Sequence, residues 1–425
     1  MKSQDALSQP FKKTWFGCSP QRIYFLLALL LASRWVVYGF TDVALTAVLR
    51  RSGVSLTQIS MMMGVGFLFM FKFLWAPLVD RVPLGGVRGY KRWFLLMQLI
   101  CGLALLGLLW MEPAQDFFSV FALLAAASLA ATFRDVAMDG LAVKILAEDQ
   151  RATANGWMSA GFMIGMVLGG GVLLLAYDTI GWSGAVWVLV LGTLLPIPVM
   201  MAFTEPSQGM ERTQAAAAAP LWSSLRDFFR IPGNRAWAGL IILMSMAGIT
   251  GPSLIAVMLI DNGWSLARVG SVTNIAGPLV AAVLSLGAGY VFARISRRAA
   301  VVSMLFCVAL LSFVKMPIAH DNYPVWLTMG IIVVSVVMST LTNVSQKIIV
   351  TDKASASADY GSNFTIQASL AQVGGVLSMM IAPAVADVYG YPTVLVAGGV
   401  LGLLAAFLMW HYPHLEPLQR TKAGA

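Results

Sequence analysis

Charged side chains are scarce in this sequence. Among 425 residues, 28 are basic and 19 are acidic, so 11% are charged, while 59% are apolar. Soluble domains average roughly 25% charged residues, and so few polar side chains are too few to cover a water-soluble globule of this size. The composition therefore argues against a soluble enzyme, a disordered chain and a nucleic-acid-binding protein.

Cysteine and histidine are also rare, with three of each. The cysteines lack the CxxC spacing of a metal or redox site, and the histidines form no HExxH motif. The dipeptide Gly-Lys, which a phosphate-binding loop requires, does not occur. These absences predict a chain that is not an enzyme, hydrolyses no ATP and carries neither a metal nor another cofactor.

Apolar residues, in contrast, are abundant and form long runs. A transmembrane helix needs about 20 of them in succession, and the runs between charged or turn-rich breaks predict an all-α polytopic protein in a lipid bilayer. The twelve predicted spans are 22–48, 55–79, 92–111, 117–145, 153–177, 184–203, 236–260, 266–293, 299–318, 324–351, 361–386 and 393–411.

The longest polar break divides these spans into two groups of six. The predicted segments are a tail, a six-helix half, a linker, a second half and a second tail, at 1–21, 22–203, 204–235, 236–411 and 412–425. An offset of 208 residues aligns span 4 with span 10, placing Asp135 on Asn343 and Asp139 on Lys347. Two parallel six-helix repeats would have this pattern.

Basic residues predict the orientation of the chain, because cytoplasmic loops are enriched in lysine and arginine. With both termini in the cytoplasm, 21 of the 28 basic residues lie on the cytoplasmic side and four on the opposite side. We therefore predict that both termini are inside. The remaining three, Arg34, Lys72 and Arg134, fall within predicted spans.

Charged residues inside spans cost about 2.5–3.5 kcal/mol each on insertion scales, and they usually face a cavity or a partner. Counted at 1.5 Å per residue, Arg34, Lys72 and Asp135 share a depth of about 12–18 Å from the cytoplasmic helix ends. The sequence predicts that Asp135 pairs with Arg34 or with Lys72, and Arg134 lies in the same band. Arg34 is also a candidate anchor for an anionic substrate.

Two carboxylates share one face of span 4, because Asp135 and Asp139 are four residues apart. A carboxylate whose basic partner changes between conformations can take up and release a proton, so both residues are candidates for proton coupling. Asp42, eight residues beyond Arg34, is a third candidate. A permanent ion pair at Asp135 and a helix-end role for Asp139 are the alternatives.

Other side chains are candidates for lining a substrate pocket with these charges. They are Trp35, Tyr38, Trp157, Asn343 and Gln346. Packing or lipid contact is the alternative for the aromatic residues. On span 5, Gly161, Gly165 and Gly169 recur every four residues, which predicts close contact with a neighbouring helix.

Two motifs resemble a known family. Residues 72–81, Lys-Phe-Leu-Trp-Ala-Pro-Leu-Val-Asp-Arg, closely resemble the second span and following loop of the AmpG-like branch of the major facilitator superfamily. Residues 134–140, Arg-Asp-Val-Ala-Met-Asp-Gly, resemble the Gln-Asp-Ile-Ala-Val-Asp-Gly of its fourth span. The resemblance is good over residues 55–175. In the C-terminal half it is limited to the layout of the predicted spans.

The resemblance implies the major facilitator fold and proton-linked transport of a small molecule by alternating access, and we expect a monomer. It also implies a cytoplasmic gate, at which the inner ends of spans 4 and 10 approach each other. We assign Asp139 and Lys347 to this gate, together with Asp80 and Arg81 of the loop after span 2. The alternative for Lys347 is an interfacial anchor that never meets Asp139.

The branch includes muropeptide permeases, an acetyl-CoA transporter and short siderophore transporters of the RhtX, FptX and YbtX type. The chain departs from the AmpG pattern at Arg134, where the motif has Gln, and at Met163, where span 5 has Arg. With the short, twelve-span chain, these departures favour the siderophore-type members. We therefore expect a proton-coupled transporter of the bacterial inner membrane that imports a siderophore or metal chelate. A muropeptide permease and a ligand sensor with a transporter fold are the alternatives.

Overall fold

The computed structural model describes residues 20–70, 75, 78–79, 82, 84, 89–146, 150–205, 221–320, 323–355 and 360–413. Within these ranges the regular structure is helical, and they contain no β-strand. The α-helices are α1 (Pro20–Gly39), α2 (Leu45–Arg51), α3 (Leu56–Met63), α4 (Phe67–Met70), α5 (Tyr90–Gly107), α6 (Phe117–Ile145), α7 (Arg151–Met166), α8 (Leu173–Leu194), α9 (Pro196–Ala202), α10 (Leu221–Arg230), α11 (Asn234–Asp261), α12 (Leu266–Gly270), α13 (Gly277–Arg294), α14 (Arg297–Val314), α15 (Val325–Ser355) and α16 (Tyr360–His411).

Nine helical segments in the described part of the chain are long and apolar enough to cross a membrane. They are Gln21–Arg51, Tyr90–Trp110, Phe117–Ala142, Gly156–Ala202, Asn234–Asp261, Leu266–Leu284, Arg297–His320, Val325–Ala354 and Asn363–His411. Leu56–Met70 is a shorter apolar helix. The multi-pass, all-helical class predicted from composition is therefore present.

Two of these segments, 47 and 49 residues long, are each interrupted by a glycine. Gly181 has a φ of 64° and Gly390 a φ of 79°, in the left-handed region that glycine enters without steric cost. The two interruptions lie between predicted spans 5 and 6 and between predicted spans 11 and 12. The total of twelve spans, with both termini inside, stays a prediction.

The chain is divided into two compact units, of which the first comprises Met1–Phe40, Phe71–Gly169 and Ile180–Ala218. One apolar cluster of this unit joins α1, α5, α6 and α9. Leu30, Phe94, Leu141 and Met200 are buried in it, one from each of these helices. The helices that carry the charged residues Arg34 and Asp135 are therefore packed around a common core.

Glu205 holds the N-terminus of α5. Its carboxylate accepts hydrogen bonds from the backbone N–H groups of Tyr90 at 3.0 Å and Lys91 at 2.8 Å. The first N–H groups of a helix have no partner within the helix, and a negative charge there is also favoured by the helix dipole. This contact connects the chain after α9 to the start of α5.

The glycines of α7 let this helix lie directly against α1. A Cβ on Gly161 would collide with the carbonyl oxygen of Ala28, and one on Gly165 would lie 2.5 Å from the carbonyl oxygen of Ala32 and 2.7 Å from Cβ of Trp35. Backbone atoms of a packed helix cannot move aside cheaply, so glycine is required at both positions. This is the close helix contact that the four-residue spacing predicts.

The second unit comprises Thr41–Met70, Gly170–Thr179 and Ala219–Ala425. One apolar cluster of this unit surrounds α11, where Trp237 and Met244 are buried with Leu305 of α14 and Met409 of α16. Short α10 lies within the predicted linker and buries Phe228 in the same cluster. The two compact units are not the two predicted six-helix halves, and the division into those halves stays a prediction.

Candidate functional site

Asp135 is fully buried on α6 in the first unit and lies between two arginines. Its Oδ2 is 3.1 Å from Nε of Arg34 on α1, and its Oδ1 accepts a hydrogen bond of 3.3 Å from Nη2 of Arg134. Removing a carboxylate from water costs several kcal/mol unless cations and hydrogen bonds compensate. Arg34 is one of the two partners that the sequence predicts, and the other, Lys72, lies outside the described residues.

A chain of hydrogen bonds holds Arg134. Its Nη1 donates to Oε1 of Gln98 on α5 at 3.0 Å. Gln98 is fully buried, and its Nε2 donates to Oγ of Ser33 on α1 at 3.1 Å and to the carbonyl oxygen of Thr193 on α8. Four helices therefore position the Arg134 guanidinium group.

Arg34 has a different environment from Arg134. Its side chain is 18% exposed, against 3% for Arg134. Its Cζ lies 5.2 Å from the centre of the Trp35 ring, a distance at which a cation is attracted to the aromatic face. Trp35 contacts Tyr38 and Phe162 edge to face, with ring centres 4.8 and 4.5 Å apart. Arg34 is thus the exposed member of the charged cluster, and it lies beside an aromatic group.

The charges of this cluster do not cancel. Two guanidinium groups surround one carboxylate, so the group of three carries one net positive charge when Asp135 is ionised. If Asp135 takes up a proton, both arginines lose their counter-ion and the net charge rises to two. By charge alone, such a group would attract an anion, and binding of an anion and uptake of a proton would each favour the other.

Other residues predicted for this site lie elsewhere. Asp139, one turn beyond Asp135, is exposed, and Trp157 on α7 is 42% exposed. Asp80 and Arg81, which were assigned to the gate, lie outside the described residues. Asp135 is buried and Asp139 is exposed, although both residues lie on α6.

Four predicted residues lie in the second unit. Asp42 is partly buried in a π-helical turn, Phe40–Ala44, between α1 and α2. Asn343 is exposed on α15 and donates to the carbonyl oxygen of Ser339, and Lys347 is exposed one turn further. The assignment of these three to a substrate, proton or gate role stays a prediction.

Gln346, in contrast, is buried on α15. Its Nε2 donates to Oγ of Ser245 on α11 at 3.0 Å and is 3.4 Å from the carbonyl oxygen of Ile241. These contacts join two helices of the second unit, and the assignment of Gln346 to the substrate site stays a prediction.

Three members of the Asp135 network, Gln98, Ser33 and Thr193, are not among the residues predicted for this site. Gln98 carried a signal, because it is the one amide side chain in the apolar stretch 93–110. A buried amide needs hydrogen-bond partners, which points to a neighbouring polar group. Ser33 and Thr193 carried none, since single hydroxyl residues are common in transmembrane helices and bond to their own backbone.

A second charged cluster lies within the second unit. Arg50 at the end of α2 binds Asp261 at the end of α11, and Tyr391 donates to the same carboxylate. Nearby, Asp387 of α16 accepts hydrogen bonds from the backbone N–H groups of Leu56 and Thr57 in the first turn of α3. These contacts join α2 and α3 to α11 and α16.

Comparisons with known sequences identify relatives of this chain. The sequence model of the Major Facilitator Superfamily matches residues 24–362. A 243-residue stretch is 28% identical to the anhydromuropeptide permease of Escherichia coli (strain K12), over 55% of this chain and 48% of that protein. The putative transporter AmpG 2 of Rickettsia bellii (strain RML369-C) is 24% identical over 217 residues, 50% of this chain and 53% of that protein. The chain spans about half the length of the curated relatives it matches.

Three solved structures with a similar fold are named as transporters or as a transporter homologue. The nucleoside transporter NupG has a TM-score of 0.67 at 15% identity, over 92% of this chain and 100% of that one. The peptide transporter POT in complex with sulfate has a TM-score of 0.67 at 15% identity, over 96% and 97%. A bacterial homologue of the human lysosomal transporter Spinster, in an inward-facing conformation, has 0.66 at 15%, over 93% and 97%. At these identities the likeness concerns the fold alone.

Proposed function

We propose that this chain, which belongs to the Major Facilitator Superfamily, is a proton-coupled secondary transporter that moves an anionic small molecule by alternating access. The observation that carries the proposal is the buried Arg34–Asp135–Arg134 cluster. Ionisable residues inside transmembrane segments are expensive, and in transporters they mark substrate and proton paths. A buried group of three charges with an exposed side is therefore a candidate for both.

Asp135 is the residue that we propose carries the proton. When it is ionised, it competes with any substrate anion for the arginines. When it is protonated, the arginines are available to the anion, so substrate and proton are carried in the same direction. A proton gradient directed into the cell would then drive import.

The substrate that we favour is an anhydromuropeptide. The E. coli relative is named for this substrate, and its match to this chain supports the muropeptide alternative more than the siderophore expectation. Muropeptides bear carboxylate groups, and a carboxylate is a natural partner for an arginine such as Arg34. The corresponding location is the bacterial inner membrane, where such a compound would be moved into the cytoplasm.

A siderophore or its metal chelate is the second candidate. Two residue changes support it, because Arg134 and Met163 replace the Gln and Arg of the resembling motifs. Arg134 adds a cation beside Asp135. Carboxylate-bearing siderophores would also complement the positive charge of this cluster. The charge therefore does not distinguish a muropeptide from a siderophore.

Uptake into proteoliposomes tests the proposal. The purified protein would be given a labelled anhydromuropeptide and, separately, a labelled ferric carboxylate siderophore, each with and without an imposed proton gradient. We expect concentrative uptake of the muropeptide that requires the gradient. Uptake of the siderophore alone would select the second candidate. Saturable binding without uptake of either compound would instead favour a sensor.

A further inference from the structure

The two arginines on Asp135 differ in burial. Arg134 is almost completely buried, and its Nη1 donates to Gln98, which is itself bonded to Ser33 and Thr193. The side chain of Arg34 is six times as exposed and lies over the Trp35 ring. A guanidinium group that is 18% exposed can move toward solvent with a smaller loss of burial than one that is 3% exposed.

The two oxygens of Asp135 differ in their contacts. Oδ1 accepts a hydrogen bond from Arg134. Oδ2 lies 3.1 Å from Nε of Arg34, but the two atoms are not aligned for a hydrogen bond, and among the described residues no other group donates to Oδ2. The contact on the Arg34 side is thus ionic and lacks the directional bond that the Arg134 side has.

We propose that Arg134 is the permanent counter-ion of Asp135, that Gln98 is the positioning residue that keeps it so, and that Arg34 is the exchangeable partner that leaves Oδ2 for a carboxylate of the substrate. This inference rests on the proposed transport function for its second half only. The division of roles between the arginines is a property of the protein without substrate.

The exchange balances in charge and atoms. A proton from solvent forms an O–H bond with Oδ2, while the Arg34 guanidinium keeps its own protons and moves its ionic contact to the substrate carboxylate. Arg134 stays on Oδ1 throughout. The titratable groups that face Asp135 in the described structure are Arg34 from α1, Arg134 from its own helix and the Cys101 thiol from α5.

Arginine-selective labelling tests the division of roles without any substrate. The full-length protein in proteoliposomes would be treated with phenylglyoxal, and modified peptides would be quantified by mass spectrometry, with exposed Arg51 as an internal reference. We expect Arg34 to react several-fold faster than Arg134. Gln98→Leu should raise the rate of Arg134 toward that of Arg34, because the restraining acceptor is gone.

Gln98→Glu is the matched control, since it keeps an acceptor oxygen for Arg134 and should leave it protected. If Gln98→Leu does not fold, Gln98→Asn, which withdraws the amide by one methylene group, takes its place. Equal reactivity of the two arginines in the unchanged protein would overturn the proposal, and so would continued protection of Arg134 in Gln98→Leu, or in Gln98→Asn where that variant takes its place.

Uptake kinetics test the exchange at Arg34. The probes are a labelled anhydromuropeptide and its methyl ester, and the quantity compared is the ratio of their KM values. The unchanged protein should prefer the acid, Arg34→Gln should lose that preference through a raised KM for the acid, and Gln98→Leu should keep it with a lowered kcat. Loss of the preference in Gln98→Leu, or its persistence in Arg34→Gln, contradicts the assignment. If the labelling pattern is as expected but neither probe is transported, the proposed substrate is wrong while the division of roles stands.

Discussion

Arg50 binds Asp261 through two parallel hydrogen bonds, from Nε to Oδ1 at 2.6 Å and from Nη2 to Oδ2 at 2.7 Å. The Tyr391 hydroxyl donates a third hydrogen bond to Oδ2 at 2.5 Å. The sequence assigns Arg50 to the first predicted six-helix half and Asp261 to the second, both at the non-cytoplasmic ends of their helices. If the two halves separate on that face during transport, this pair must break.

Arg50→Ala is therefore expected to favour the conformation that is open on the non-cytoplasmic face. Both side chains are about one-quarter exposed, so removing the ion pair should cost the closed state about 1 kcal/mol. This energy corresponds to a several-fold change in the population of the two states. The measurement is the alkylation rate of a cysteine placed at Ser60, which is buried against α16. The control is Arg51→Ala, because Arg51 pairs with Asp178 of the same predicted half. Equal acceleration in both variants would count against a specific role for Arg50.

Asp135→Asn should abolish uptake driven by a proton gradient and spare binding or equilibrium exchange. Asparagine keeps the shape of the side chain but cannot release a proton, so the site cannot alternate between its two charge states. Uptake and counterflow into proteoliposomes separate these activities. Asp227→Asn, at an exposed carboxylate on α10, should behave like the unchanged protein. Normal concentrative uptake by the Asp135 variant would remove this residue from the proton path.

Gly165→Ala should destabilise the protein by about 1–3 kcal/mol, the usual range for overpacking a core. The added methyl group would meet the Ala32 carbonyl oxygen and Cβ of Trp35, neither of which is a flexible side-chain end. Thermal unfolding in detergent measures the loss. Gly239→Ala is the control, since its Cβ meets nothing within 4 Å on a helix, and alanine there should be neutral or slightly stabilising. A similar unfolding temperature for both variants would show that α7 can move away from α1.

Asp139 and Lys347 are predicted to form a cytoplasmic gate contact in the outward-open state only. Each is exposed in its own unit, so the contact would contribute about 1 kcal/mol to the balance of states. Asp139→Lys and Lys347→Asp should each bias accessibility labelling toward the inward-open form, and the double swap should restore it. A double variant no better than the single ones would leave Lys347 as an interfacial anchor.

The sequence by itself determined the class of the protein and predicted that Arg34 and Asp135 lie at one level along their helices, where the structure brings them into contact. A membrane-spanning helix is recognisable from composition alone, because an apolar run of sufficient length is stable nowhere else. The constant rise of a helix then places Arg34 and Asp135 at one depth. For this reason their proximity could be predicted before any contact was known.

Only the tertiary structure decided which groups meet at that depth. Whether Arg34 lies on Asp135, and whether Gln98 lies on Arg134, depends on how each helix is rotated and on which helices are neighbours. Rotation is set by packing over the whole interface, such as the contact of Gly165 with Ala32, and a depth count contains no information about it. The difference in burial between the two arginines, and the hydrogen bonds that reach Arg134 from α5 and through Gln98 from α1 and α8, are therefore visible only in the folded chain.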